Sequence, residues 1–285
     1  MLLNPIVYRS ALTLAAVLWL VAAPASAAEP SFGCGLPPPL DPPTTVNLDG
    51  HPRDMIVAVP HGYSADRMYP LVLGFHGGTN DNQQVRQYYD LEKSSRFDAI
   101  YVYPAGLRGG SGKFTWYAPG DQASNLRDYA LFDRLLTDIG ARYCVDLDQV
   151  FVVGHSLGAW FANSLACARS EHIRAVGSVG GGISPTQCSG KVAALLLHNP
   201  DDQDVPVTES ERARDALLAQ NGGPVPQPQK EKLAGLDCDR YGEKEGEILW
   251  CLHHQDYNRR GRYYPHQWPK EASTAIMEFF AEQRD

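Results

Sequence analysis

The sequence predicts an α/β fold with a mainly parallel central sheet and helices on both faces. Two observations predict it. Short runs rich in β-branched and aromatic residues recur along the chain, with helical patterns between them. The runs are also almost wholly apolar, as strands covered on both faces are. Such alternation favours parallel strands joined by crossover helices.

The strand runs are residues 55–59, 71–75, 99–103, 149–153, 175–179, 192–197 and 248–252. Helical spacing covers about 124–142, where Leu131, Leu135 and Ile139 form one stripe, and then 156–169, 208–220 and 270–283. Residues 28–50 contain Pro37-Pro38-Pro39 and Pro42-Pro43 and read as an extended N-terminal arm. The Pro/Gly-rich stretch 222–228 is a loop, since too little chain follows it for a second core. Residues 28–285 are therefore expected to form a single domain.

Residues 1–27 are set apart. Arg9 precedes an apolar run from Ala11 to Ala23, and Ala25-Ser26-Ala27 supplies the small side chains a signal peptidase accepts. The run is shorter than the roughly 20 residues a membrane span needs. A secretory signal cleaved after Ala27 is expected, with the mature protein secreted or periplasmic. Cleavage takes 27 residues from 285 and leaves about 258, enough to bury a large core.

Cysteine usage agrees with export. The six cysteines form no CxxC, so zinc and thioredoxin-like chemistry lack support. Six cysteines allow 15 pairings. Cys238 and Cys251 bracket one short segment, and Cys167 and Cys188 flank one strand run, which leaves Cys34 with Cys144. The net charge of −8 argues against nucleic acid or an anionic membrane surface as partner and favours an uncharged substrate. A monomer is expected.

The most informative stretch is Val150-Phe151-Val152-Val153-Gly154-His155-Ser156-Leu157-Gly158. A buried strand runs into GxSxG and a helical pattern begins at once. So sharp a turn needs residues without bulk two before and two after the serine. It lifts the hydroxyl above the carboxyl edge of the sheet, at the positive end of the next helix. This strand–elbow–helix context narrows the fold class to the α/β-hydrolase fold, with Ser156 as nucleophile.

Acyl transfer also needs donors for a developing oxyanion. The N–H of Leu157 is one. Phe75-His76-Gly77-Gly78-Thr79 follows an early strand, where such folds put the second, and Gly78 and Thr79 are the candidates. His76 is expected to hold that loop by a side-chain hydrogen bond. In this fold the acid and then the histidine follow the serine in chain order. Asp201, Asp202 and Asp204 compete for the acid, and spacing alone does not choose. His253 and His254 end a strand, whereas His266 lies in a loop before the last helix and can swing over the sheet edge, so His266 is preferred.

With these residues in hand, the chain resembles the secreted feruloyl esterases and polyhydroxybutyrate-depolymerase-like esterases of carbohydrate esterase family 1. The likeness rests on Gly74-Phe75-His76-Gly77-Gly78, Tyr143-Cys144-Val145-Asp146, Gly154-His155-Ser156-Leu157-Gly158, Ala166-Cys167-Ala168-Arg169 and Ile173-Arg174-Ala175-Val176. The family's acid motif falls on His198-Asn199-Pro200-Asp201-Asp202-Gln203-Asp204-Val205-Pro206 and selects Asp202. Its His-x-Trp-Pro matches His266-Gln267-Trp268-Pro269. Asn199, Ala159 and Pro265 depart from the family's usual glycines.

The resemblance implies a serine esterase acting on feruloyl or acetyl esters of plant polysaccharide, with no cofactor or metal. A polyhydroxyalkanoate depolymerase is the alternative, and a non-catalytic carbohydrate-binding protein is the rival of another class. A protease on the same scaffold ranks lower. Trp116 (beside Tyr117) and Trp268 are expected to grip the substrate.

Overall fold

The computed structural model describes residues 28–48, 50–109, 112–116, 122–184, 187–223, 227–242 and 244–284. The expected signal at 1–27, Tyr117, and positions 224–226 of the Pro/Gly loop lie outside the described residues.

Ten strands make one sheet in the order β1-β2-β4-β3-β7-β8-β9-β12-β11-β10. They are β1 (Thr45–Leu48), β2 (His51–Ala58), β3 (Tyr69–Phe75), β4 (Ile100–Pro104), β7 (Val145–His155), β8 (Ala175–Val179), β9 (Ala193–His198), β10 (Gln229–Leu233), β11 (Leu236–Tyr241) and β12 (Ile248–Leu252). A separate small ribbon pairs β5 (Leu107–Arg108) with β6 (Phe114–Thr115). The six strands from β4 to β12 in the middle of the sheet run parallel. Antiparallel pairs finish both edges.

The helices are α1 (Asn82–Tyr89), α2 (Leu91–Ser94), α3 (Gln122–Gly140), α4 (Leu157–Ala168), α5 (Val207–Gln220) and α6 (Ala272–Glu282). Period-two alternation of the strand side chains divides the core into two layers. Leu71, Leu73, Val150, Val152, Val176 and Leu196 face one layer, filled by α3, α4 and α5 through Leu135, Phe161 and Leu217. Val72, Phe151, Val153, Ala175, Leu195 and Leu197 face the other, filled by α1 and α6 through Tyr89, Ile276 and Phe280. Both faces are thus dry, which is why these strands read as unbroken apolar runs.

The N-terminal arm is not wholly free of the sheet. Its last residues, Thr45–Leu48, pair with His51–Asp54 as an edge strand, and Ser31 N–H donates to Val145 O at 2.9 Å. Disulfides join Cys34–Cys144, Cys167–Cys188 and Cys238–Cys251. The first pins the arm to the start of β7. The last sits across a directly opposed pair of β11 and β12.

Helix α1 is absent from the sequence expectations. Its start is locally encoded all the same: Asp81 accepts from Gln84 N–H at 2.8 Å, and the Gln84 side chain accepts from Asp81 N–H at 3.0 Å. That capping box satisfies two donors that a helix start leaves open.

Candidate active site

Ser156 stands between β7 and α4 with φ 56° and ψ −124°, a left-handed region that L residues rarely occupy. Its N–H is tied to Val179 O at 2.9 Å. The elbow closes because both flanking glycines lack a Cβ. One added at Gly158 would lie 2.1 Å from Phe75 O, and one at Gly154 would lie 2.1 Å from Gly158 O.

Two later loops converge on the hydroxyl. His266, from the loop before α6, places Nε2 2.8 Å from Ser156 Oγ. Its Nδ1 is 2.5 Å from Asp202 Oδ2. Gly180, just after β8, leaves space for this relay, since a Cβ there would come within 3.2 Å of the imidazole and 3.5 Å of the carboxylate. The structure therefore brings Ser156, His266 and Asp202 into one hydrogen-bonded chain. It separates the competitors: Asp201, Asp204 and His254 are exposed, and His253 is buried with Nδ1 accepting from Gln255 N–H at 3.3 Å.

Asp202 is buried on its loop, and its Oδ1 accepts the N–H groups of Asp204 and Val205, both at 2.9 Å. Burial alone would raise its pKa. The hydrogen bonds with His198, His266 and Val205 outweigh that and hold the carboxyl well below its ordinary range. A carboxylate that stays ionised fixes the imidazole with its Nδ1–H inward and leaves Nε2 to accept the serine proton.

His76 is fully buried. Gly106 N–H donates to its Nε2 at 2.8 Å, so the proton sits on Nδ1, 2.8 Å from Gly77 O. Burial lowers its pKa to about 4, which keeps the ring neutral and able to accept from Gly106. It braces the loop after β3, as expected from sequence. Leu157 opens α4, so its N–H belongs to the first turn, which has no intrahelical acceptor. Gly78 lies against Leu157, with a built Cβ 3.7 Å from Leu157 Cδ2. Gly77, which sequence reasoning passed over, is nearer the nucleophile, its built Cβ 3.4 Å from Ser156 Cβ. Thr79 is exposed at the loop's outer end.

Trp116 requires a correction. It is fully buried, stacked on Phe161 at 5.2 Å and edge-on to Phe75, and its Nε1–H donates to His76 O at 2.7 Å. It supports the loop after β3 from beneath and offers no face to a substrate. Trp268 is half-buried, stacked on Tyr89 at 3.9 Å, with Nε1–H donated to Ser273 Oγ. Its polar handle is thus used internally. Trp160, four residues after Ser156, is the half-exposed indole beside the elbow, with its ring against Gly182. The GxSxG pattern gave no reason to single it out.

His155 and His198 were also missed as neighbours of the site. His155 is buried with its ring 5.1 Å from that of His266, and burial lowers its pKa to about 3. His198 is buried, with Nε2 2.8 Å from Val205 O. Among the described residues, no cluster of three His, Cys, Asp or Glu side chains is arranged to hold a metal ion.

Comparison with known proteins follows the same lines. The Esterase family model matches residues 47–239. Feruloyl esterase D of Neurospora crassa is 30% identical over 295 residues, covering 96% of this chain and 98% of that protein. Poly(3-hydroxyalkanoate) depolymerase C of Paucimonas lemoignei is 23% identical over 171 residues, covering 59% of this chain and 40% of that protein. Among solved structures, a CE1 ferulic acid esterase from Anaeromyces mucronatus superposes with a TM-score of 0.55 at 15% identity, covering 84% of this chain and 88% of that one. The last likeness is one of fold.

Proposed function

The chain belongs to the Esterase family and is a carboxylic ester hydrolase, and from that premise we propose that it cleaves feruloyl or acetyl esters of plant polysaccharide through Ser156, His266 and Asp202. The observation that carries this reading is His266, hydrogen-bonded to the serine by one ring nitrogen and to the aspartate by the other.

Ser156 Oγ attacks the ester carbonyl carbon while His266 Nε2 takes its proton. The oxyanion is met by the N–H of Leu157 and by one N–H of the Gly77–Thr79 loop, the side nearest the elbow being Gly77 and Gly78. As the tetrahedral adduct collapses, His266 returns the proton to the leaving alcohol oxygen and the C–O bond breaks. Water then attacks the acyl-serine, with His266 as base and then acid, and frees the carboxylic acid. Residues 1–27 direct export, a reading supported by three disulfides in one chain.

A polyhydroxyalkanoate polyester is the second reading, supported by the similarity to the Paucimonas lemoignei protein. Purified mature protein assayed against methyl ferulate, acetylated xylan and short polyhydroxybutyrate tests both. Turnover of the first two with none of the third is expected. Preference for the polyester sinks the polysaccharide assignment.

A further inference from the structure

The loop carrying His266 begins with a short hairpin of unusual surface. Tyr257 and Tyr263 form an antiparallel bridge, and Tyr264 N–H donates to Asp256 O at 2.7 Å. The turn is closed by Asn258 N–H to Arg262 O and Gly261 N–H to Asn258 O, both at 2.9 Å. Asn258 Oδ1 further accepts from the N–H groups of Arg260 and Arg262. This backbone is held from within.

What it presents outward is aromatic and basic. Every residue from 259 to 264 is exposed. Tyr257, Tyr263 and Tyr264 retain 60%, 44% and 39% of their surface, and they are three of the few large rings and aliphatic side chains left in water. Tyr257 and Tyr263 meet edge to face at 5.6 Å. The Tyr264 ring is 6.1 Å from that of His266. Arg259, Arg260 and Arg262 make no ion pair with any described residue. The nearby Asp256 carboxylate accepts Asn199 Nδ2–H at 2.9 Å and forms no ion pair with these arginines.

Three unpaired guanidiniums on one turn are anomalous in a chain of net charge −8. They are strong, geometrically defined carboxylate binders. Exposed phenol rings offer flat apolar faces with a polar edge, suited to the face of a sugar ring. A rigid hairpin loses little freedom when it docks a ligand.

We propose that the hairpin 256–264 is a subsite for an anionic polysaccharide, one bearing uronic-acid carboxylates, next to the ester-cleaving centre. This rests on the esterase reading above and specifies the polymer to which its ester is attached. The arginines hold carboxylates of the chain while Tyr263 and Tyr264 support sugar rings leading toward His266. The acidic balance of the whole protein suggests an uncharged substrate; the local surface beside the site selects a charged one.

The test uses the full mature protein and the triple variant Arg259→Gln/Arg260→Gln/Arg262→Gln. All three positions are exposed, so the fold is retained. Both proteins are assayed on methyl ferulate and on feruloylated polysaccharide with its uronic acids intact or chemically reduced to neutral sugars. Each exposed ion pair is worth about twofold. The variant is therefore expected to lose about tenfold in kcat/KM on the intact polymer, to keep its rate on methyl ferulate, and to lose the wild type's sensitivity to salt. Carboxyl reduction should remove the wild type's advantage. Equal rates of the two proteins on intact polymer overturn the subsite. Absence of any wild-type turnover of methyl ferulate strikes the esterase reading instead. Binding of Ser156→Ala to polygalacturonate, measured without turnover, should show the same dependence on the three arginines. Binding to phosphatidylserine vesicles that depends on these arginines, with no affinity for the polymer, overturns the proposal in favour of a membrane surface.

Discussion

His198 Nε2 stands 3.5 Å from Oδ2 of Asp202, the same carboxylate oxygen that meets the imidazole of His266. Both side chains are buried. His198 also bonds Val205 O at 2.8 Å, so it ties the strand end to the loop that carries Asp202. Its side-chain contacts go to Val205 and Asp202 and not to Ser156, so the role expected of it is to position Asp202.

Replacing His198 by Phe keeps the volume and removes the bond. A hydrogen bond to a charged group contributes about 1.5–3 kcal/mol, and at this longer separation the lower end applies. The expected result is a fall in kcat of about tenfold on methyl ferulate with KM little changed. The Asp202 carboxyl should also titrate at higher pH, which an NMR titration of that carboxyl reads directly. A uniform rise in KM with kcat intact contradicts the positioning role.

Three buried imidazoles make the protein sensitive to mild acid. Burial holds His76 and His253 at about 4 and His155 at about 3, against 6.5 when unfolded. Between pH 6.5 and pH 4 the unfolded chain binds more protons, so stability rises with pH across that window and is lost as pH falls. Asp202, held low by its hydrogen bonds, adds stability that is lost only at still lower pH. Each imidazole costs on the order of 2 kcal/mol by pH 5. Urea unfolding at pH 7 and pH 5 checks this. The variant His253→Gln should show a shallower pH slope, and an unchanged slope contradicts the assignment.

An elbow glycine and a glycine of the loop after β3 differ sharply in what they tolerate. A Cβ at Gly158 meets the Phe75 carbonyl at 2.1 Å, whereas at Gly78 the nearest atom is 3.7 Å away. Gly158→Ala should fail to fold or lose several kcal/mol, on the scale of overpacking at fixed backbone. Gly78→Ala should fold with a melting temperature near that of the wild type. Comparable melting temperatures for the two variants would mean that the close approach is misplaced.

The Cys34–Cys144 disulfide closes a loop with a sequence separation of 110. Loop entropy gives such a link about 4–5 kcal/mol, against about 3 for one closing roughly 15 residues, such as Cys238–Cys251 with a separation of 13. Cys34→Ser/Cys144→Ser should therefore lower the melting temperature more than Cys238→Ser/Cys251→Ser. The reverse order would show that the N-terminal arm contributes little.

These expectations also show which features the sequence displays. The central strands β3, β4, β7, β8, β9 and β12 are covered on both faces, so their apolar runs are visible without knowing any partner. The edge strands escape for the opposite reason. Gln229–Leu233 reads Gln-Lys-Glu-Lys-Leu and is largely exposed, held by pairing with β11 and not by its own pattern. Helix α1 buries only Asn82, Val85 and Tyr89, too narrow a stripe to register among five polar neighbours.

At the site, Ser156 is legible because strand, glycines and helix are all local. Asp202 is picked out by the family's acid motif and not by spacing, since what separates it from Asp201 and Asp204 is burial against His198 and His266, a tertiary fact. Trp116 misled for a related reason. An indole on a connecting segment suggests a cleft, but its partners Phe75 and Phe161 come from distant elements. The hairpin 256–264 was silent because its basic charge is lost in an acidic total.

The central claim is that Ser156 is activated by its neighbours, and covalent labelling tests it most directly. Intact mass and peptide mapping after treatment with a fluorophosphonate should reveal one adduct on Ser156, with the labelling rate lowered by about 10³–10⁴ in Asp202→Asn through the wrong imidazole tautomer. Turnover of methyl ferulate by protein that carries no adduct, or an adduct on a different residue, would contradict the account.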